Sequence, residues 1–112
     1  MSFPFTLIAG PCVIEDESTL FEIAKEVSQI CNDLNIRFIF KASFDKANRS
    51  SGSSFRGPGL KQGLKLLSKI KNKYDLELLT DIHESYQAKP VSEVVDVLQI
   101  PAYLCRQTDL LL

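Results

Sequence analysis

Hydrophobic and polar positions alternate between two periods along the chain, and this alternation predicts strands separated by helices. Short apolar runs are typical of buried strands, and they lie at Thr6–Ala9, Arg37–Ala42, Leu76–Thr80 and Val94–Ile100. Apolar residues recur at helical spacing from Leu20 to Leu34 and again from Leu60 to Ile70. The pattern also leaves room for a short helix at His83–Lys89 and for the first turn of another at Thr108–Leu112.

The start of the first helix is predicted from its capping residues. Ser18 or Thr19 can accept a hydrogen bond from the first turn, and Glu22 lies three residues after Thr19 as a capping-box partner. We therefore expect the helix to begin at Ser18 or Thr19.

Strands that alternate with helices predict an α/β fold with a parallel sheet. A closed (β/α)8 TIM barrel needs about 250 residues, and this chain has 112. We expect residues 1–112 to form the N-terminal half of one barrel domain, with about the first four βα units. On this interpretation the chain is truncated.

Composition and charge narrow the class of protein. The chain is 45% hydrophobic and 24% charged, which is ordinary for a globular protein. Its net charge of −1 argues against a general nucleic-acid or membrane-surface role. No apolar run approaches the length of a membrane span, and the first residues lack the basic start of a signal peptide. Three cysteines without a CxxC motif suggest a reducing cytoplasm.

Polar residues gather where the predicted strands end, which is where parallel α/β folds bind their ligands. The segment after the second strand is the most distinctive. Between Arg37 and Gly57 there are five basic residues and one acid, Asp45, a local charge of +4. Lysine, arginine and serine all donate hydrogen bonds to phosphate or carboxylate groups. The charge alone is equally compatible with a solvated loop, and the neighbouring phenylalanines leave nucleic-acid binding as a weaker alternative.

Several of these segments resemble one enzyme family. The stretches LIAGPC, FKASFDKANRSS, FRGPGL, TDIHE, VVDVLQIPA and RQTDLL are similar to those of the 3-deoxy-D-manno-octulosonate 8-phosphate synthases, in register along almost the whole chain. The related heptulosonate 7-phosphate synthases typically have a KPRTS-like stretch where this chain has KANRSS. The resemblance therefore favours the eight-carbon enzyme, with the seven-carbon enzyme as an alternative.

The resemblance implies a reaction and a set of site residues. The family joins phosphoenolpyruvate, arabinose 5-phosphate and water into the octulosonate 8-phosphate and inorganic phosphate, for lipopolysaccharide biosynthesis. It implies catalytic roles for Lys46, Asp81 and His83, although a lone histidine is more often structural. It implies that the substrates contact Lys41, Ser43, Lys46, Asn48, Arg49, Ser50, Asp81, Gln99 and Ala102.

The resemblance further implies a metal and an oligomer. A cysteine at the position of Cys12 accompanies the metal-dependent branch of the family, and a thiolate suits zinc, iron, manganese or a similar divalent ion. The other ligands of the family lie in the second half of the barrel. A phosphate clamp at Arg49 and Ser50, supplied by a neighbouring subunit, implies a homotetramer.

Two readings from different classes remain open at this stage. The first is the synthase, with the isolated 112-residue chain expected to be inactive. The second is a non-catalytic half-barrel that binds anions or associates with itself through its exposed strand edges.

Overall fold

The computed structural model describes residues 5–46 and 56–112, which form a four-stranded parallel sheet with helices between the strands. The strands are β1 Thr6–Ala9, β2 Arg37–Lys41, β3 Glu77–Asp81 and β4 Val97–Gln99. The helices are α1 Glu17–Asp33, α2 Leu60–Tyr74, α3 Ala88–Ser92 and α4 Thr108–Leu111, with 3-10 turns at Ser85–Gln87 and Ala102–Leu104. The strands lie in the order β1-β2-β3-β4. This is an α/β fold that matches the first βα units of a TIM barrel.

The core lies between the central strands and the long helices. Phe40 on β2, Leu78 on β3, and Leu67 and Ile70 on α2 are completely buried, as is Ala24 on α1. α1 and α2 pack against each other and against the sheet. The predicted helical stripes therefore face the core, except that Ile30 and Leu34 at the end of the first stripe are more than half exposed.

The two outer strands differ from the prediction of buried strands. β1 and β4 are the edge strands among the described residues, and Ile8 on β1 is 50% exposed. β4 has only three residues, because the backbone N–H groups of Val94 and Val95 both donate to the carbonyl of Val91 and so belong to the turn that ends α3. The predicted strand at Val94–Ile100 was therefore too long at its start.

The predicted cap of α1 was wrong by two or three residues. Asp16 caps this helix, because its carboxylate accepts hydrogen bonds from the Thr19 backbone N–H at 2.7 Å and from the Ser18 hydroxyl at 2.8 Å. These hydrogen bonds hold the pKa of Asp16 below its ordinary value, and the bond from the Thr19 backbone N–H has the largest effect. Ser18 and Thr19 thus serve as donors inside the first turn.

The loop that follows β1 crosses close to the end of β2. A Cβ atom on Gly10 would lie only 1.8 Å from the carbonyl oxygen of Lys41. Just beyond, Val13 forms a parallel bridge with Ser43, and the Ile14 N–H donates to the Ser43 carbonyl at 3.0 Å. Glycine at position 10 thereby allows the backbone to approach the strand that leads into the polar segment.

No helix in the described part of the chain is long and apolar enough to cross a membrane.

Candidate functional site

Four polar side chains meet where β2 and β3 end. Asp81 is the last residue of β3, and Ser43 lies two residues after β2. The Ser43 hydroxyl donates to Asp81 Oδ1 at 2.6 Å, and Lys46 Nζ donates to Ser43 Oγ at 2.8 Å. On the other side of the carboxylate, His83 Nε2 lies 2.8 Å from Asp81 Oδ2. Lys46, Ser43, Asp81 and His83 are therefore joined in one continuous hydrogen-bonded chain, which we call the Asp81 network.

This network is largely buried. Ser43 is fully buried, Asp81 is 6% exposed, and the His83 side chain is 7% exposed. Burial raises the pKa of Asp81, but the hydrogen bonds from His83 and Ser43 together lower it by more, so its pKa lies below the ordinary value. Asp81 is thus a carboxylate at neutral pH, which Ser43 and His83 contact directly and which Lys46 reaches through the Ser43 hydroxyl.

Two contacts position the ring of His83, and a third holds its backbone. Because the Asp81 carboxylate can only accept hydrogen bonds, the ring proton lies on Nε2. Phe44 packs edge-to-face against the ring with the centroids 5.8 Å apart. The side chain of Gln87 accepts from the backbone N–H groups of His83 and Glu84 at 2.8 and 3.2 Å. The remaining nitrogen, Nδ1, is buried without a hydrogen-bond partner among the described residues.

A cavity of about 320 Å³ opens beside the Asp81 network. It is lined by Lys46, Asp81, His83, Gln99, Pro101, Ala102 and Tyr103. The backbone positions these groups, since Asp81 is paired with Gln99 across β3 and β4 and the Ile82 N–H donates to the Gln99 carbonyl at 3.0 Å. A cation, a carboxylate and an imidazole on one concave surface can bind an anionic substrate and exchange protons with it.

The structure brings together five of the residues predicted for the site from the sequence. Lys46, Asp81, His83, Gln99 and Ala102 all line the cavity. Ser43 lies behind Lys46 and Asp81, where its hydroxyl contacts those two side chains. Lys41 is half-buried at the end of β2 and is not part of the cavity lining. Asn48, Arg49 and Ser50 lie outside the described residues, so their roles stay predictions.

Two of the basic residues behind the local charge of +4 are already paired. Arg56 binds Asp45 through two hydrogen bonds of 2.9 Å. Arg37, at the start of β2, binds Glu77 at 3.0 and 2.6 Å, at the opposite end of the sheet from Asp81. Neither guanidinium is therefore an unpaired phosphate ligand, and within the described residues Lys46 is the cation that lines the cavity.

Sequence reasoning missed several residues at this site. Pro101 and Tyr103 line the cavity, and burial, followed by the nearby charges of Asp45 and Asp81, raises the pKa of the Tyr103 phenol. The hydrogen bond from His83 to Gln87 could have been anticipated from the sequence, because Glu84 and Gln87 have the spacing of a capping box. In the structure the side chains of these two residues do bond reciprocally to the backbone.

Cys12 lies in a different cavity. Its thiol is exposed after β1 and lines a space of about 240 Å³ together with Glu15 and Asp16. Within residues 5–46 and 56–112, no three His, Cys, Asp or Glu side chains are grouped as a metal site. The described residues by themselves therefore do not fit a complete metal centre.

A larger cleft, about 560 Å³, lies at the opposite end of the strands, between the start of β2 and the start of β3. Its lining includes the ion pair between Arg37 and Glu77, in which both charges are already satisfied. We therefore assign the candidate site to the smaller cavity, where the Asp81 network lies.

Comparison with known proteins gives one family and a consistent group of relatives. The model of the DAHP synthetase I family matches residues 2–112. The chain is similar to proteins named 2-dehydro-3-deoxyphosphooctonate aldolase. In Campylobacter jejuni subsp. doylei the identity is 63% over 105 residues, 94% of this chain and 39% of the relative. In Fusobacterium nucleatum the identity is 58% over 108 residues, which are 96% of this chain and 39% of the relative. In a Cyanothece species it is 62% over 109 residues, 97% and 40%.

The chain spans about two fifths of the length of these curated relatives. The family model, in contrast, matches nearly all of the chain, and the parallel sheet has the strand order that the start of a barrel requires. The chain belongs to the DAHP synthetase I family.

Proposed function

We propose that this chain forms the first part of an enzyme that condenses phosphoenolpyruvate with arabinose 5-phosphate and water, giving 3-deoxy-D-manno-octulosonate 8-phosphate and phosphate. The observation that carries the proposal is the cavity at the ends of β3 and β4, which combines Lys46 with the hydrogen-bonded pair of Asp81 and His83. The similarity of the chain to proteins named 2-dehydro-3-deoxyphosphooctonate aldolase supports the same reaction.

The chemistry of the cavity suits two anionic substrates. A lysine ammonium attracts phosphate and carboxylate groups and can give a proton to an oxygen that gains negative charge. When the enol carbon attacks the aldehyde, the aldehyde oxygen gains that charge. We assign Lys46 as the group that stabilises this oxygen and gives it a proton. We assign Asp81 and His83 to binding the sugar hydroxyls and to proton transfer. An ionised carboxylate can accept hydrogen bonds from these hydroxyls, and an imidazole can donate or accept a proton.

The remaining assignments follow the resemblance described for the sequence. We assign Lys41, Gln99 and Ala102 to phosphoenolpyruvate, Asn48 to the pentose hydroxyls, and Arg49 with Ser50 to the pentose phosphate in a homotetramer. Cys12 is assigned as one ligand of a divalent metal. Its exposed thiol supports this assignment, and the other ligands would come from sequence that is not in these 112 residues. The three free cysteines are consistent with a cytoplasmic enzyme.

A chimera tests the reaction directly. This chain would replace the matching 105 residues of the Campylobacter jejuni relative, to which it is 63% identical. We expect the chimera to release phosphate only when phosphoenolpyruvate and arabinose 5-phosphate are both present, and to do so poorly with a four-carbon aldose phosphate, the substrate length that a heptulosonate synthase needs. A preference for the four-carbon sugar would replace the proposed function with the seven-carbon reaction.

The non-catalytic alternative predicts a different outcome of the same experiment. If the chain only binds anions or associates with itself, the chimera should be folded but should release no phosphate above the background without enzyme. Residues 1–112 alone are expected to show no turnover on either reading, because a four-stranded sheet cannot enclose two substrates as a closed barrel does. Turnover by the isolated chain would contradict the barrel interpretation.

A further inference from the structure

The hydroxyl of Ser43 has a geometry that a substrate contact does not require. It is completely buried, it donates to Asp81 at 2.6 Å, and it accepts from Lys46 at 2.8 Å. A serine hydroxyl has a single proton to donate. Because the Asp81 carboxylate receives that proton, the hydrogen bond between Lys46 and Ser43 has the lysine as its donor. The side chain therefore links the cavity-lining ammonium to the buried carboxylate.

The far end of the same chain is fixed by contacts outside the cavity. The ring of His83 donates to Asp81 Oδ2, packs on Phe44, and follows a backbone that the Gln87 side chain holds. Asp81 itself ends β3, in register with Gln99 of β4. These contacts fix the position of the carboxylate. In the described structure, Ser43 is the hydrogen-bonded link between this carboxylate and Lys46.

We propose that Ser43 is a positioning residue, which holds the Lys46 ammonium at the cavity by coupling it to the pair of Asp81 and His83. The catalytic part of this inference rests on the proposed function, whereas the coupling is a property of the folded chain alone. Lys46 lies three residues beyond Ser43 on an irregular segment, and a flexible lysine without an anchor would sample many rotamers. The Ser43 hydroxyl selects one of them before the substrate arrives.

His83 offers a spectroscopic test of the coupling, because it is the only histidine in the chain. The chain would be labelled with 15N-histidine, and the resonance of the Nε2–H proton would be followed at neutral pH. Ser43→Ala should move this resonance downfield, because Asp81 loses one donor and becomes a stronger acceptor for His83. Lys46→Met should move it in the same direction by a smaller amount.

The double variant provides the decisive comparison. If Lys46 acts on His83 through Ser43, the double variant should give the same resonance as Ser43→Ala alone, because the removed residues lie on one path. Thr80→Val is the matched control, since Thr80 has a buried hydroxyl that donates to the Ala42 carbonyl at 2.7 Å and takes no part in the Asp81 network. We expect no shift in the control. Additive shifts in the double variant would overturn the coupling, as would an unmodified chain with no hydrogen-bonded Nε2–H resonance.

Kinetics in the chimera separate positioning from substrate contact. Ser43→Ala should lower kcat roughly ten- to a hundredfold, the loss typical of one charge-assisted hydrogen bond, with little change in either KM. Ser43→Cys keeps the volume of the side chain but is a weak donor and acceptor, so it should behave like the alanine variant if the hydrogen bonds matter. A raised KM with unchanged kcat would identify Ser43 as a substrate contact without a positioning role and refute the inference. An inactive chimera with the expected resonances would refute the proposed function and leave the coupling standing.

Discussion

The close approach of Gly10 to β2 makes the effect of Gly10→Ala predictable in magnitude. The new Cβ would lie 1.8 Å from the Lys41 carbonyl oxygen, whereas ordinary contacts begin near 3.4 Å, so the backbones must separate by about 1.6 Å (3.4 less 1.8). The obstacle is a backbone carbonyl, which cannot rotate away as a long side chain could. The variant therefore strains the backbone at the entrance to the site.

The expected destabilisation combines two terms. Overpacking typically costs about 1–3 kcal/mol, and a shift of this size would weaken the hydrogen bond from Ile14 to Ser43, at about 1 kcal/mol. We expect the free energy of unfolding to fall by about 2–4 kcal/mol, or the Tm by roughly 10–25 °C.

Urea unfolding followed by circular dichroism measures this change. Thr6→Val is a suitable control, because Thr6 is an exposed position on β1, the strand that precedes Gly10, and its replacement should alter stability by less than about 0.5 kcal/mol. A Gly10→Ala chain within about 0.5 kcal/mol of the unmodified chain would refute the steric argument.

Three further predictions concern the site. The pKa of Asp81 is lower in the folded chain than its ordinary value of 3.8. The stabilisation from this carboxylate is therefore present above pH 3.8 and is lost as the pH falls through the folded pKa. The urea midpoint should drop on acidification, and it should drop less in the Asp81→Asn variant. Arg49→Ala in the chimera should raise the KM for arabinose 5-phosphate roughly ten- to a hundredfold, the loss expected for a charge-assisted contact, and an unchanged KM would remove Arg49 from the phosphate clamp. Exhaustive chelation should abolish activity of the chimera and divalent metal should restore it, whereas full activity after chelation would exclude Cys12 as a required metal ligand.

The alternation of apolar runs predicted the fold because each run has one dominant structural preference. β1 was predicted with its observed bounds, and the start of α2 at Leu60 agrees with the pattern. Val94 and Val95 misled the prediction, since β-branched residues favour strands but here complete the turn after α3. The competition between local preference and tertiary contacts is not visible in sequence spacing.

The site was partly predictable for a related reason. Asp81 and Gln99 end neighbouring strands, so their proximity follows from a parallel sheet. The link from Ser43 to Asp81 joins residues 38 positions apart and depends on side-chain direction after a strand ends, which no periodicity encodes. The same is true of the pair formed by Arg56 and Asp45, in which one of the five basic residues of the segment is already bound to its one acid.

The ion pairs at the starts of the strands have a consequence for how this protein can adapt. Arg37 binds Glu77, and Lys71 binds Asp96 at 2.7 Å, just before β4 begins. All four side chains are between 38% and 47% exposed, so each pair contributes only about 0–1 kcal/mol and is weakened by salt. They lie at the end of the sheet opposite Asp81. Thermal tolerance and salt tolerance could therefore be tuned by exchanging surface charges at one end of the strands, while the groups that would perform the reaction at the other end stay unchanged.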